Sequence, residues 1–211
     1  GYQADALLNY LALLGWNPGT EDEIFDLASL IECFEIEKVQ KKSALYDQKK
    51  FNWISSQHLM KEHSDEILKR LVSIDPGWGD SKSQDCLIKI IDLMKPRSNS
   101  LTDLVNKSRY FFSCPKKFDS TQLQKIWKQD TTQIIIELKS ILSAMNSWVA
   151  IELESNFKSY MDQRGFGFGK VMKPMRFLIC GCLQGPSLFD LMELIGKEES
   201  IMRIDYAINE F

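Results

Sequence analysis

Four basic side chains lie close together in a stretch of the sequence that carries no acidic residue. Between Gln163 and Phe189 the charged residues are Arg164, Lys170, Lys173 and Arg176. Guanidinium and ammonium groups donate hydrogen bonds to phosphate oxygens, and positive charge without intervening acids attracts polyanions. The chain as a whole has a formal net charge of -3. We therefore interpret this basic segment as a local polyanion-facing surface in a protein that is not generally basic.

A second basic stretch is interleaved with aromatic residues. Between Leu104 and Gln129 the only acid is Asp119, and the bases are Lys107, Arg109, Lys116, Lys117, Lys125 and Lys128. The aromatic residues of this stretch are Tyr110, Phe111, Phe112, Phe118 and Trp127. Such a mixture is suited to phosphate contacts and base stacking. Aromatic side chains are equally suited to a buried core, so both interpretations stay open from the sequence.

The residue types that usually bind metals or act as nucleophiles are few and scattered. The cysteines are Cys33, Cys86, Cys114, Cys180 and Cys182, and the only histidines are His58 and His63. A lone C-x-C without a second pair or a nearby histidine does not predict a zinc site. We interpret Cys180 and Cys182 as small core residues, expect no metal site, and expect a reducing, cytoplasmic setting.

Three glycines at alternate positions, Gly165, Gly167 and Gly169, resemble a phosphate-binding loop only superficially. Their spacing lacks the last glycine of G-x-G-x-x-G, and the preceding stretch from Ser155 to Gln163 is polar and helical in pattern, where a nucleotide loop would follow a strand. We predict a flexible, basic loop between two helices, with no cofactor-binding residues and no catalytic residues in this chain.

Composition and periodicity predict a soluble, mainly helical chain. Of its 211 residues, 44% are hydrophobic and 26% charged, and no apolar run is long enough for a membrane span. Leu7, Leu8, Leu11 and Leu14 share one face of a predicted first helix. Asp26, Asp47 and Ser100 are placed to cap later helices, and the segment from Val39 to Tyr46 is predicted to be extended. Core-facing stripes are predicted at Leu87–Met94, Ile134–Met145 and Ile201–Ile208.

Both ends of the sequence resemble bacterial-type glutamyl-tRNA synthetases. The family's closing pattern, K-P-x-R followed by G-P-S-L-F-x-L-M-E-L and G-K-E-E, is filled from Lys173 to Glu199. The first residues, G-Y-x-x-x-A-L-L-N-Y-L-A-L-L-G-W, resemble the family's region after its catalytic lysine loop, and Trp53 keeps a family tryptophan. Two departures are Ala4 in place of a proline and Ser55–Met60 in place of an N-G-x-Y-I-R pattern.

The resemblance implies a fold and a division of the chain. We expect a mainly α protein, with a small mixed stem-contact fold at residues 1–62 and an all-helical anticodon-binding region, the helical cage of class I synthetases, at 63–117 and 118–211. The catalytic signatures of class I synthetases are absent, so we expect this chain to be inactive alone. The implied parent enzyme attaches glutamate to tRNA(Glu) using ATP and Mg, is monomeric, and binds neither DNA nor a membrane.

The resemblance also assigns candidate tRNA-binding residues. Lys95-Pro96-Arg97 resembles a motif whose arginine reads the third anticodon base, and members that discriminate strictly differ at this position from those that do not. Together with the matches to the closing pattern, the candidates are Arg97, Arg176, Lys173, Lys170, Gly185, Pro186, Leu188 and Trp53. Leu188 is equally suited to the core. The alternative for the whole chain is a helical protein-interaction scaffold that binds no RNA.

Overall fold

The computed structural model describes residues 1–41 and 43–210, and the regular structure of these residues is helical. The chain divides into two compact units, Gly1–Ser108 and Arg109–Phe211. The first unit contains α1 (Ala4–Gly15), α2 (Leu27–Cys33), α3 (Gln48–Lys61), α4 (Ser64–Ile74), α5 (Gln84–Met94) and α6 (Leu101–Ser108), with 3-10 turns at Ile36–Lys38 and Lys95–Arg97. The second contains a 3-10 turn at Arg109–Phe111, then α7 (Ser120–Ile126), α8 (Thr131–Ala144), α9 (Ala150–Arg164), α10 (Phe168–Cys180), α11 (Leu188–Ile195) and α12 (Lys197–Glu210).

The mainly α prediction is confirmed. The β structure of the described residues amounts to one antiparallel bridge between Trp16 and Val39, so the predicted extended segment begins with this bridge and continues irregularly. Lys42, which belongs to that segment, lies outside the described residues. No helix in the described ranges is long and apolar enough to cross a membrane.

The predicted helix caps are confirmed because capping depends only on local sequence. The Asp26 carboxylate accepts from the Ser29 backbone N–H, and the Asp47 carboxylate accepts from Lys49 and Lys50. The Ser100 hydroxyl accepts from the Asp103 N–H at 3.1 Å. Each contact satisfies a backbone donor that the first helical turn leaves without an intrahelical partner.

The buried face of α1 is not the face that carries most of its leucines. Ala6, Asn9 and Tyr10 are buried, and Tyr10 packs with Phe51 and Ile54 of α3. By contrast, the exposed fractions of Leu7, Leu8 and Leu11 are 44%, 41% and 53%. The helix prediction is confirmed, but the leucine stripe does not identify the core-facing side of the helix. That side carries the polar Asn9, whose side-chain oxygen accepts from the Phe25 N–H and contacts the His58 ring.

The later stripes face the core more completely. All four apolar residues of the α5 stripe, Leu87, Ile90, Ile91 and Met94, are buried. In α8, Ile134, Leu138 and Leu142 are buried, while Ile141 and Met145 are partly exposed. In α12, Ile204 is buried, whereas Ile201 and Ile208 are partly exposed. The buried residues hold α5, α8 and α12 in the core. These helices therefore position the segment that follows α5 and the segment that precedes α11.

The first unit is held together across the predicted boundary at residues 62 and 63. The Gly1 carbonyl accepts from the Leu101 N–H at 2.9 Å, and the Ser55 hydroxyl donates to the Asn99 carbonyl at 2.6 Å. These bonds join the start of the chain and α3 to the segment after α5. The structure divides the chain into two units. The three predicted domains, 1–62, 63–117 and 118–211, remain a prediction.

A fully buried arginine connects three parts of the second unit. The exposed fraction of Arg203 in α12 is 1%. Its Nε donates to Glu199 at 2.7 Å, and its Nη1 donates to the Tyr110 carbonyl at 2.6 Å and to the Ile179 carbonyl at 2.8 Å. Arginine is a donor-only group that stays charged, so its burial requires acceptors of this kind. Arg203 thereby ties the 3-10 turn and the end of α10 to α12.

We expect Arg203→Ala to lower the free energy of unfolding by about 3–5 kcal/mol, the usual cost of breaking a buried charged hydrogen-bond network. The substitution leaves the Tyr110 and Ile179 carbonyls without their buried donor. Urea unfolding followed by circular dichroism measures the change. The matched control is Lys158→Ala, an exposed position on α9, which should change stability by less than about 0.5 kcal/mol. Equal losses in both variants would contradict the role assigned to Arg203.

Candidate functional site

In the first unit, Arg97 is presented to solvent at the end of a helix. The backbone of α5 passes into the 3-10 turn Lys95–Arg97, and the Ser98 hydroxyl donates to the Met94 carbonyl at 2.9 Å. The exposed Arg97 guanidinium donates through Nη1 to the Leu93 carbonyl at 3.1 Å. A cation at a helix C-terminus is stabilised by the helix dipole and by the unpaired carbonyls there. Arg97 is therefore oriented at its base while its other donors face solvent.

The residues after Arg97 are fixed by a set of polar contacts that the sequence pattern did not reveal. Lys107 donates to the Arg97 carbonyl at 2.7 Å and pairs with Asp103 at 2.8 Å. Asp103 accepts from the Asn99 N–H at 3.0 Å, and the Asn99 carbonyl accepts from the Ser55 hydroxyl. The only sequence signal for this set is the spacing of Asp103 and Lys107, which is typical of a helical ion pair.

Lys95, the other base of this turn, is engaged inside the protein. Its ammonium group lies 3.1 Å from the Asp92 carboxylate and 3.2 Å from the Ser64 hydroxyl, and its side chain is only 16% exposed. Lys95 therefore ties the 3-10 turn Lys95–Arg97 to α4 and α5, whereas Arg97 is the base that this turn exposes to solvent.

Trp53 is exposed but does not face the Arg97 loop. It lies on α3, and 44% of its surface is exposed. Ser55, which contacts Asn99 next to that loop, follows two positions later and so lies about 200° around the helix. The structure therefore does not bring Trp53 together with Arg97, and a tRNA contact by Trp53 stays a separate prediction.

In the second unit, Arg176, Gly185, Pro186 and Leu188 come together at the segment between α10 and α11, which we call the 181–187 turn, whereas Lys170 and Lys173 lie in the first half of α10. The turn begins with Gly181, whose φ of 72° is left-handed and ends α10. Gly185 has a φ of 150°, another conformation that favours glycine. Ser187 caps α11 with its hydroxyl accepting from the Asp190 N–H at 3.4 Å.

Arg176 holds this turn from inside α10. Its Nη2 donates to the Pro186 carbonyl at 2.7 Å, while its Nη1 is buried and has no partner among the described atoms. A methyl group on Gly185 would lie 3.1 Å from both this Nη1 and the Tyr110 hydroxyl. Glycine at 185 thus permits the close approach of the guanidinium, and one buried donor remains available beside the turn.

The apolar candidates of this turn belong to the core. The exposed fraction of Leu188 is 1%, and Pro186 is also buried. Pro186 contributes its carbonyl to Arg176, and Leu188 begins α11 as a packed side chain. Their assignment as RNA contacts stays a prediction, and in this structure their observed role is to shape the turn.

The basic segment from Gln163 to Phe189 contains no acid, but in the folded chain acids from other segments pair with two of its bases. Arg164 lies 2.5 Å from Glu137 of α8, and Lys170 lies 2.5 Å from Asp130. The hydrogen bond from Lys170 lowers the pKa of Asp130 below its ordinary value. Lys173 is exposed and has no ion pair among the described residues. Two of the four bases are therefore partly neutralised by acids that lie earlier in the chain.

The second basic stretch meets the 181–187 turn. A Cβ at Gly181 would lie 2.9 Å from the Pro115 ring and 3.7 Å from the Lys117 carbonyl, which places the exposed Lys116 and Lys117 beside the end of α10. Some aromatic residues of this stretch belong to the core. The exposed fraction of Phe111 is 1%, and the ring centroids of Phe118 and Phe177 lie 5.4 Å apart.

The segment between α9 and α10 is a short connection between helices, as predicted, but the third glycine, Gly169, lies inside α10. Gly165, with a φ of 64°, ends α9, and Gly167 directly precedes α10. The Lys170 ammonium lies 4.4 Å from the centre of the Phe166 ring, so a cation–π contact adds to the Asp130 pair in holding this lysine.

These two surfaces can be compared with known proteins. Residues 65–208 match the model of the family described as "Anticodon binding domain". That match covers most of the chain, and the chain belongs to this family.

Its relatives are glutamate–tRNA ligases. The chain is 35% identical over 209 residues to the ligase of Flavobacterium johnsoniae, a match that covers 99% of this chain and 42% of the relative. It is 35% identical over 224 residues to the ligase of Chloroherpeton thalassium, covering 100% of this chain and 44% of that protein. The chain thus spans less than half the length of the curated relatives it matches.

Solved structures of glutamate–tRNA ligases are similar to this chain as well. The glutamate tRNA ligase of Elizabethkingia meningosepticum, crystallised in complex with its amino acid, superposes with a TM-score of 0.89 at 34% identity, covering 99% of this chain and 41% of that one. The glutamate-tRNA synthetase of Elizabethkingia anophelis gives a TM-score of 0.84 at 33% identity, with the same coverage. The matched part of these ligases is the anticodon-binding, C-terminal part.

We expect Gly185→Ala to lower the free energy of unfolding by about 1–3 kcal/mol, because alanine is strained at this φ and its methyl group displaces Arg176. The loss should be smaller in an Arg176→Ala background, where one of the two close contacts is already absent. Urea unfolding of the two single variants and the double variant measures this coupling.

Gly169→Ala is the matched control for that cycle. Gly169 lies in α10, and a Cβ there meets only the Lys173 side chain at 3.9 Å. Alanine should therefore be neutral or stabilise the helix by roughly 0.5–1 kcal/mol. A cost of Gly185→Ala that is unchanged by Arg176→Ala would show that the guanidinium does not closely approach Gly185.

Proposed function

We propose that this chain is the tRNA-recognition part of a glutamate–tRNA ligase and that its RNA partner is tRNA(Glu). The observation that carries the proposal is the family match over residues 65–208, combined with ligase relatives that match 99% of the chain. The proposal is supported by two rigid presentations of arginine, Arg97 on the first unit and Arg176 on the second. Both offer guanidinium donors that have no partner among the described residues.

The activity proposed for the parent enzyme is the ATP-dependent attachment of glutamate to tRNA. ATP and Mg belong, in this proposal, to the part of the relatives that this chain does not span, so the chain contributes binding without chemistry. We further propose that the parent works as a monomer in the cytoplasm and binds neither DNA nor membranes. The relatives' common description as glutamate–tRNA ligases supports the proposed activity.

The basic residues of the second unit have different roles in this proposal. Lys173 is exposed and unengaged, so it contacts a phosphate directly. Lys170 must exchange Asp130 for a phosphate, which costs little because exposed ion pairs contribute only about 0–1 kcal/mol. Both contacts act on the backbone of the RNA, so they contribute affinity without base specificity.

We expect Lys170→Ala combined with Lys173→Ala to weaken the binding of every tRNA to a similar extent. The slope of log affinity against log salt should become shallower by about one to two units, because each lost phosphate contact removes roughly one. Fluorescence anisotropy with labelled tRNA over a series of salt concentrations measures the slope.

Two further variants make that experiment decisive. Asp130→Asn removes the acid that engages Lys170 and should strengthen binding, while Lys158→Ala removes an exposed lysine from α9 and should leave the slope unchanged. An unchanged slope in the double variant would place the RNA elsewhere on the chain. Absence of salt-sensitive RNA binding by the unmodified chain would favour the helical scaffold over the ligase fragment.

Arg97 is the residue proposed to read a base. Its guanidinium carries only donors, so its partner must accept hydrogen bonds. A splayed cytosine presents O2 and N3 as adjacent acceptors on its pairing edge. Guanine presents N1–H and an exocyclic amine there beside its single acceptor O6, so at least one donor of the guanidinium would face a donor. Arg97 should therefore favour glutamate tRNA, whose anticodon ends in C, over glutamine tRNA, whose anticodon ends in G.

We expect Arg97→Gln to reduce this preference by about 1–3 kcal/mol, the usual contribution of one base-reading contact, because a glutamine amide either donates or accepts. Binding of two tRNAs that differ only at the last anticodon base measures the preference, and circular dichroism checks that the helical content is retained. The control is Lys89→Gln, which removes an exposed charge from the same helix, α5. If Arg97→Gln weakens both tRNAs equally, Arg97 contacts only a phosphate.

A further inference from the structure

The first helix of the chain, α1, carries apolar side chains on the side that points away from the core. Tyr10 of this helix is buried, whereas the exposed fractions of Leu7, Leu8 and Leu11 are 44%, 41% and 53%. Residues at this spacing share one side of a helix, and the exposed Ala4 lies one turn before them on the same side. We call these four residues the outer leucine face.

A surface helix is normally polar on the side opposite the core, and α1 departs from that pattern. Its one charged residue, Asp5, directly follows Ala4 and so lies about 100° around the helix from it. A helix with apolar residues both towards the core and away from it is typical of the interior of a larger protein or of a membrane span. With 12 residues, α1 is too short to span a membrane. The outer leucine face is therefore suited to being covered by protein.

The chemistry of this face does not suit RNA. Leucine has no hydrogen-bond donor for phosphate oxygens and no flat ring that could stack on a base. An apolar protein surface is the partner that gains by covering leucine, because removal of apolar surface from water is favourable on both sides of the contact.

The small size of this face favours a partner that belongs to the same polypeptide. A helix of 12 residues is about 18 Å long and about 10 Å wide, so one side of it presents only on the order of 200 Å². Specific complexes between separate proteins bury about 800 Å² on each partner. A segment that is joined to the chain by a short linker can dock on less area, because its effective concentration at the face is already about millimolar.

Residue 1 is fixed close to this helix. The Gly1 carbonyl accepts from the Leu101 N–H at 2.9 Å, and a Cβ at Gly1 would lie 2.8 Å from the Thr102 Cβ, so Gly1 packs closely on α6. The helix α1 begins three residues later at Ala4. A segment joined to Gly1 would therefore start within a few residues of the outer leucine face.

We propose that the outer leucine face docks against the part of the parent ligase that precedes Gly1. The ligase relatives described above are more than twice as long as their match to this chain, and the matched part is C-terminal, so their remaining part precedes it. The inference rests on the proposed function, which gives this chain a ligase as its parent. In the full ligase α1 is then packed on both sides, against α3 within the first unit and against the preceding part.

Hydroxyl-radical footprinting of the full-length parent ligase and of this chain alone tests the docking without any substitution. Mass spectrometry measures the oxidation of the peptide that contains the three leucines. We expect this oxidation to be about fivefold slower in the full-length ligase, since half-exposed side chains become almost fully buried. The control is Ile151 of α9, whose exposed fraction is 78% and whose oxidation should be similar in the two proteins.

Three results of the footprinting would overturn the proposal. The first is equal oxidation of the leucines in the two proteins. The second is a protection that disappears when the full-length ligase is diluted, which would assign the face to a second copy. The third is a protection that appears only when tRNA is added, which would assign the face to RNA.

Substitution of Leu11 provides a second, functional measurement. We expect Leu11→Asp to lower kcat/KM for glutamylation by the full-length ligase at least about tenfold, because burial of an unpaired charge is strongly unfavourable. Leu11→Met keeps an apolar side chain of similar volume and should retain activity, as should the exposed control Ile151→Asp. In this chain alone, Leu11→Asp should leave helical content and tRNA binding unchanged, because Leu11 is half exposed there.

These experiments separate the docking from the proposed function. If the unmodified full-length protein attaches no glutamate to tRNA, the proposed function is wrong, while the footprint still decides whether the outer leucine face is covered. If the full-length protein attaches glutamate and Leu11→Asp is as active as the unmodified ligase, the docking is wrong and the proposed function stands.

Discussion

The second unit depends on the burial of one positive charge. Arg203 lies inside the protein with its guanidinium bonded to Glu199 and to the carbonyls of Tyr110 and Ile179. The Ile179 carbonyl belongs to the last turn of α10, where no intrahelical donor is available and the helix dipole favours a cation. Because the charge cannot be neutralised, the three acceptors must stay in place. This constraint fixes where α10 ends and hence where the 181–187 turn begins.

The 181–187 turn is therefore held by two arginines, Arg203 and Arg176, whose hydrogen-bond donors are paired to different extents. Arg203 has acceptors on both sides and is sealed from solvent, so its role is to maintain the fold. Arg176 bonds the Pro186 carbonyl through one nitrogen and leaves another buried without a partner among the described atoms. A native fold seldom leaves a buried donor unpaired unless the donor serves a ligand or a water. One guanidinium donor of Arg176 is therefore left beside the turn, and its use in RNA recognition stays a prediction.

The parts of the fold that the sequence predicted well are those set by local interactions. Helix caps such as Asp26 and Asp47, and the α5 stripe that stops before Pro96, depend on neighbouring residues and were predicted correctly. The face of α1 was not predictable in this way, because Asn9 is buried by partners far along the chain. Arg203 was also missed, since a charged residue is rarely expected inside. A retrospective signal exists: Ser200 and Ala207, small residues on the same helical face, leave room for its side chain.

The candidate site shows a similar division between local and distant effects. The motif around Arg97 and the closing pattern around Arg176 located two arginines that the structure holds with backbone acceptors, which short sequence patterns can encode. The basic segment was harder to judge, because Asp130 and Glu137 approach Lys170 and Arg164 only after folding. What remains is a chain of net charge -3 with a few unengaged donors. Such a surface cannot rely on bulk attraction, since nonspecific RNA binding requires many phosphate contacts. Under the proposed function, recognition depends on the placement of individual donors, so the backbone contacts that hold Arg97 and Arg176 count for more than the number of basic residues.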